Sequence, residues 1–412
     1  MRTTITIIFA FFLTSVFGQT DDYNVLLDSA KTLFKTKDTL RSTESEHIEY
    51  SQIISMLEKV IELNPNSAEA RYFLGCTYGR INSFDGESII DMDLELVYLT
   101  SEQFEKTIEL TPNYVDEIWR IDPYSKLSSE WGSLAMRYLY ENKVDSAVWA
   151  FKEGKKRGGF SDFTLQINRN ILDVCSKNAI LAVSGDNFII PMWYLQAVEN
   201  YRTDVAVIST SLLNSTWYPR YLYNNKIVAF DLPNEVIDTL QYTEWSDKII
   251  KTKKFSWTLK PSYYNAYLLR GDRLFLSILK KNKFKRELYF TTGFVESEML
   301  NLKSHLSPLI IVNKLDISGK KMLLEDYKKN VSNSLKLSEY LNFNSTDERK
   351  MFDYYVCYGI LDKVRDYLNN NEKTKAKELM NLLDKFAEDK NFLFYVEDIE
   401  KYIDFIRQSL TN

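Results

Sequence analysis

Histidine and cysteine are scarce in this chain: His47 and His305 are the only histidines, and Cys76, Cys175 and Cys357 the only cysteines, in 412 residues. With no Cys/His cluster there is no zinc-ligand spacing, and a Ser-His-Asp triad would have to use one of two isolated histidines. An odd cysteine count, scattered through apolar helical contexts, argues against a disulfide framework and predicts buried, inert thiols. No Walker loop, G-x-G-x-x-G, G-x-S-x-G or H-E-x-x-H occurs, so neither a cofactor nor a metal is expected. Positive charge is not in excess either. Lys and Arg number 52 against 57 Asp and Glu, a net charge of −5, which leaves no electrostatic footprint for nucleic acid. No run approaches the roughly 20 apolar residues of a membrane span.

The first residues carry one arginine, an apolar run from Ile5 to Val16 and a small residue, Gly18, before Gln19. That order reads as a secretory signal peptide over 1–18. No cysteine follows the run to receive a lipid, so the expected destination is the periplasm, the cell envelope or the medium.

Residues 19–159 have helical periodicity with a repeat. Ile53, Leu57, Val60 and Pro65 form one set, and Leu74-Gly75-x2-Tyr78 opens the next, closed by Phe104 and Pro112. Trp131-x2-Leu134-Ala135-x2-Tyr138 followed by Ala147-x3-Phe151 is the clearest unit. These spacings resemble the tetratricopeptide motif, in which large and small residues interlock between paired helices. The Pro65-to-Pro112 interval exceeds the roughly 34 residues of a standard repeat, which predicts an insertion within Arg80–Asp93. Repeats of this kind offer a groove for a protein or peptide partner.

After Gly158-Gly159 the pattern changes. Ala179 to Val183 is a short apolar run closed by Gly185-Asp186-Asn187, and Val205 to Ile208 is another. The helix-sized segment between them, with Pro191 expected in its first turn and Val198 at its end, predicts two parallel strands joined by a helical crossover. Ligands of such sheets bind beyond the carboxyl ends of the strands. That places Asp186 and Asn187 on one rim and Ser209 and Ser211 on the next. Ile227–Phe230, Leu288–Thr291 and Leu309–Val312 are further candidate strands, 235–267 a long loop or hairpin, and Gly271–Lys281 a helix. From Lys321 onward helices return, with Met322, Leu323, Leu324, Leu335, Leu337, Tyr340, Leu341, Phe352, Tyr355, Val356 and Ile360 on expected buried stripes. The expected fold is α + α/β: helical repeats over 19–159, a small parallel or mixed sheet over 160–316, and C-terminal helices over 317–412.

The same central residues carry a family resemblance. GDN-x3-P-x-WYLQ-x-VE, then R-x-DV-x-V, then SLLN-x2-WY, with Gly271-Asp272 and Lys285-Arg286 downstream, resemble the water-facing C-terminal part of bacterial glycosyltransferase-like membrane proteins, predicted protein O-mannosyltransferases. The resemblance implies a glycan-related setting. Phe188 stands where the family has a second acidic residue, and Glu287 where it has proline. The family's membrane-embedded portion, where its glycosyl-transfer chemistry is expected, has no counterpart here.

Asp186 has two readings: a carboxylate that, with Asn187, takes a hydroxyl-rich ligand, or a residue that caps the following turn. Trp193-Tyr194 and Trp217-Tyr218 are either core aromatics or a platform for a sugar ring. Lys285-Arg286 reads as a solvated basic pair at the amino end of a strand, and Arg202 with Asp204 as a structural ion pair. The function expected is an exported, non-catalytic binding or scaffold protein that meets a protein partner through its repeats. The rival is a glycan-related enzyme, or an accessory subunit of a glycosyltransferase-like system, with its site at the Asp186 rim.

Overall fold

The computed structural model describes residues 22–39, 48–83, 86, 88–294, 297–317, 322–337, 344–390 and 397–411. The expected signal peptide lies outside these residues, as do His47, Tyr340 and Leu341. The described chain is mostly helical, with a small mixed sheet and a C-terminal run of helices. Among the described residues no helix is long and apolar enough to cross a membrane. Two compact units are formed, Met1–Arg137 with Glu153–Gly159, and Tyr138–Lys152 with Phe160–Asn412.

In the first unit α1 (22–39) precedes α2 (Tyr50–Leu63), α3 (Ala68–Ser83), α4 (Leu94–Leu110) and the larger part of α5 (Pro123–Tyr140). Helix α2 buries Ile53, Leu57 and Val60, one stripe at helical spacing. The Ser67 hydroxyl then caps α3 by accepting the Ala70 amide at 3.2 Å. Helices α3 and α4 run antiparallel: Thr107 Oγ1 meets the Ala68 carbonyl near one end, and Asn82 Oδ1 accepts the Asp93 amide at the other. Between these ends the Phe104 ring lies on Gly75, where a Cβ would sit 2.8 Å from a ring carbon. Glycine alone permits that approach. Between α3 and α4 the described residues carry a 3-10 turn at Ile89–Asp91. Trp131 is fully buried on α5 and donates from its indole to Ser101 Oγ at 2.9 Å.

Helix α6 (Val144–Lys156) ends before Gly158, whose φ of 108° suits only glycine. In the second unit Phe151, late in α6, packs its ring on Phe160 and Tyr194. The chain continues as α7 (Asp162–Val174), β1 (Ile180–Val183), α8 (Asp186–Val198), β2 (Ala206–Ser209), α9 (Trp217–Asn224) and α10 (Asn234–Thr239). Next come β3 (Thr243–Glu244), β4 (Lys248–Lys251), β5 (Ser256–Leu259), β6 (Tyr267–Leu268), α11 (Arg270–Asn282), β7 (Leu288–Thr291), β8 (Leu306–Pro308) and β9 (Val312–Leu315). The last elements are α12 (Leu324–Leu337), α13 (Thr346–Asn369), α14 (Lys373–Lys390) and α15 (Glu397–Thr411).

The main sheet has the order β2-β1-β7-β9-β8, with β1 parallel to both β2 and β7, and β9 antiparallel to β7 and β8. Strands β1, β2 and β7 are buried along their whole length, as expected where helices cover both faces. The segment 235–267 holds the β4–β5 hairpin and the first strand of a second small pair, β3 with β6.

Three sequence expectations are corrected. Pro191 is the sixth residue of α8, not part of its first turn, because Gly185 (φ 91°) starts the helix directly after the strand. Proline has no N–H for the Asn187 carbonyl, one turn back. That carbonyl instead accepts the side-chain amide of buried Asn168, at 3.1 Å. Ile227–Phe230 is not a strand: the Ile227 amide closes α9 on Leu222, its carbonyl takes the Arg286 guanidinium, and the Asp231 amide bonds Ser277. Leu309–Val312 straddles the β8–β9 turn, with Ile310 at φ 81°. All three cysteines are buried and form no disulfide, and burial pushes the Cys175 and Cys357 thiols up to about 12.

Candidate functional site

Val183 of β1 is in register with Ser209 of β2, and Ala182 with Phe290 of β7, so three parallel strands end side by side. From β1 the chain turns through α8 to β2 on one flank, whereas β7 leads toward β9 on the other. This reversal defines the crevice at which open α/β sheets bind ligands. Its rim comprises Ser184–Asn187, Ser209–Ser211 and Thr291–Phe294. The strand ends are tied together: the Ser184 amide donates to Thr291 Oγ1 at 3.2 Å, and the Thr210 amide to the Val183 carbonyl at 3.4 Å.

Asp186 is exposed and opens α8, a place where a carboxylate complements the positive end of the helix. Asn187 is half-buried beside it. Ser209 is buried, with its hydroxyl 3.0 Å from that of exposed Ser211, and its amide donates to the Tyr218 hydroxyl at 3.0 Å. The four candidate aromatics lie inside the protein: Trp193, Tyr194, Trp217 and Tyr218 are 6%, 5%, 2% and 0% exposed. Trp193 and Trp217 pack against the Tyr218 ring, and Tyr194 against Phe160. Rings so enclosed offer no platform to a sugar, and the platform reading is corrected accordingly. Burial raises the Tyr218 phenol well above its ordinary value. A polar tip anchored to β2 by hydrogen bonding explains why a tyrosine fits this core.

A cavity of about 480 Å³ opens beside the third strand end, which sequence reasoning did not single out. Thr291 to Phe294 form its β7 side, and Tyr354, Tyr355 and Tyr358 of α13 form its aromatic wall. Gly293 (φ 100°) brings the backbone against Tyr355, whose hydroxyl would lie 3.7 Å from a Cβ there. Gly359 lets α13 approach the β8–β9 turn, for a Cβ would meet the Ile310 carbonyl oxygen at 2.6 Å. The charged groups lining the cavity are mutually paired: Asp362 with Lys303 at 3.6 Å and with Arg365, and Lys363 with Asp366 at 2.8 Å. Burial raises the Tyr355 and Tyr358 phenols. Asp186, Asn187, Ser209 and Ser211 do not line the cavity. Phe188 reaches it indirectly, its ring 5.3 Å from that of Tyr355. The signals available in sequence were Thr292-Gly293 after an apolar run and the i, i+1, i+4 tyrosines on a helix. What brings them together is long-range packing.

Among the described residues no group of three or more His, Cys, Asp or Glu is placed to hold a metal ion. Arg202 and Asp204 form the expected ion pair at 2.8 Å, and this hydrogen bond holds the Asp204 carboxyl well below its usual range. The Lys285-Arg286 reading is revised, since Arg286 donates to the carbonyls of Asn178, Ala179 and Ile227 at 2.6 to 3.0 Å. Lys285 is exposed, and Arg286 is half-buried.

The fold and rim thus define an α+β protein with a ligand-sized cavity at a strand-end switch point. Residues 164–254, from α7 through β4, match the family model described as TMEM260-associated domain 2. The match includes Asp186 and Tyr218 but not β7 or α13. No curated protein and no solved structure matches the chain.

Proposed function

We propose that this chain is an exported, non-catalytic binding protein that holds a carbohydrate at the strand-end cavity and a protein partner on tetratricopeptide-like helix pairs in residues 19–159. The observation that carries the reading is the cavity itself. Half-buried tyrosines form one wall, and the charged groups around it are already neutralised by one another. Such a lining suits a neutral, hydroxyl-rich ligand: ring faces meet the C–H face of a sugar, and fixed polar groups meet its hydroxyls. The matched domain supports the carbohydrate, since it is linked to glycosyltransferase-like TMEM260 proteins. Glycosidic chemistry needs an acid and a base or nucleophile in separate roles. Phe188 leaves one carboxylate at the α8 rim, and Asp362 and Asp366 are held by cations. The Gly75–Phe104 approach, the buried Trp131 and the helix-pair spacing support the repeat reading.

Titration calorimetry of the purified full chain with a panel of neutral oligosaccharides tests the cavity. Binding should weaken at least tenfold in Tyr358→Ala; a glycan bound equally by that variant would remove the cavity from the account. N-terminal sequencing of protein from the cell envelope or medium should begin at Gln19, and an intact Met1 in a cytoplasmic fraction would remove the export.

A further inference from the structure

A second cavity, of about 650 Å³, lies at the opposite, amino end of β1. Its floor is apolar, with Ile180, Val228 and Ile278, and its charged lining is Lys226, Lys281 and Arg286 with no carboxylate among the lining residues. In a chain with more acids than bases this is a local reversal. Elsewhere in the molecule cations are repeatedly paired, as Lys31 is with Glu69 and Glu117 or Lys314 with Glu287. Lys226 and Lys281 are exposed, and neither side chain has an ion-pair or hydrogen-bond partner among the described residues.

Arg286 is anchored from beneath. Its Nε and both Nη atoms donate to backbone carbonyls of Asn178, Ile227 and Ala179, which uses three of the five guanidinium N–H groups. No carboxylate touches it; the nearest influence, Asp204, is held by Arg202 and the Asn178 amide. A half-buried guanidinium surrounded by neutral carbonyls retains an unbalanced charge. The simpler explanation of Lys226 and Lys281 is that they offset the negative C-terminal ends of α9 and α11. Each helix end carries about half a charge, so the two together offset one cation of the three. Lys280, Lys283 and Lys285, likewise exposed and with side chains unpartnered among the described residues, add to the field.

We infer that this cavity binds an organic diphosphate ester, its phosphates at Lys226, Lys281 and Arg286 and its body on the Ile180–Val228–Ile278 floor. A cluster of three cations matches a multiply charged anion better than a single carboxylate. The volume falls within the roughly 300–1,000 Å³ of small-molecule sites, and partly exposed Tyr223 adds a ring at the edge. The site is separate from the strand-end cavity and stands or falls independently of the carbohydrate reading.

The test is calorimetry of the full chain at low salt with adenosine diphosphate, geranyl diphosphate, inorganic pyrophosphate, adenosine and geraniol. At least one ester should bind tenfold or more tightly than pyrophosphate and than its uncharged counterpart, and weaken as salt rises. The two esters distinguish an aromatic from an aliphatic body. Lys226→Ala with Lys281→Ala, both at exposed positions, should lower ester affinity at least tenfold while leaving the melting temperature unchanged. Lys377→Ala, at an exposed position on α14, should leave that affinity unchanged. No binding of either ester, equal binding of pyrophosphate, or affinity indifferent to the double substitution would each overturn the assignment.

Discussion

Asn168 and Pro191 form a matched pair of residues: one removes a backbone donor from α8, and the other supplies a side-chain donor from α7 to the carbonyl left behind. Asn168→Ala should cost about 1–3 kcal/mol, because a buried carbonyl loses its partner. With Pro191→Ala already present, the helix can provide its own N–H, and the same truncation should cost about 1 kcal/mol less. Equal costs in both backgrounds, measured by urea denaturation, would break the pairing. Glu130 gives a second prediction at this scale. It is buried, receives one hydrogen bond from Asn82 at 3.0 Å, and burial pushes its carboxyl up to about 7. The folded state therefore keeps a proton that the unfolded chain releases near 4.5, so this contribution to stability is present at low pH and is lost as pH rises from about 4.5 to about 7. Glu130→Gln should gain on the wild type by on the order of 3 kcal/mol between pH 4.5 and pH 8, and a pH-independent difference would contradict the burial argument. The sequence marks Pro191 as a helix residue but cannot show where its orphaned carbonyl goes, nor that a glutamate on a helical face points inward.

At the level of elements, β1, α8 and β2 were legible because the signals agree: two apolar runs, a glycine turn and a helix-length spacer. The misread strands, Ile227–Phe230 and Leu309–Val312, are apolar runs of strand length whose backbone partners come from α11, Arg286 and the β8–β9 turn. Four apolar residues signal burial without stating the conformation. The helical spacing in the first unit was more informative, since Gly75 and Phe104 were picked out in sequence and lie in contact. Gly75→Ala should cost about 1–3 kcal/mol through overpacking against that ring. Phe104→Leu in the same chain should recover part of the loss. A melting temperature indifferent to Gly75→Ala would show that α3 and α4 are not locked at this point.

For the whole molecule, the sequence located the rim but not the cavity. Parallel strand ends follow from the chain pattern, so Asp186, Asn187, Ser209 and Ser211 could be named; the wall of Tyr354, Tyr355 and Tyr358 comes from a helix far along the chain, and no spacing rule brings it to β7. The aromatic pairs were ambiguous for a related reason, since a tryptophan that shapes a crossover and one that faces a ligand have the same local sequence. The central claim is that the rim binds rather than reacts. Its most direct test is incubation of the full chain with glycans and activated sugar donors, with products and retained ligands followed by mass spectrometry, alongside Asp186→Asn, Asp362→Asn, Tyr358→Ala and the surface control Lys177→Ala. The account predicts a retained neutral glycan that is lost in Tyr358→Ala, and no transferred or released sugar from any form. Turnover that disappears in Asp186→Asn or Asp362→Asn but survives in Lys177→Ala would contradict it.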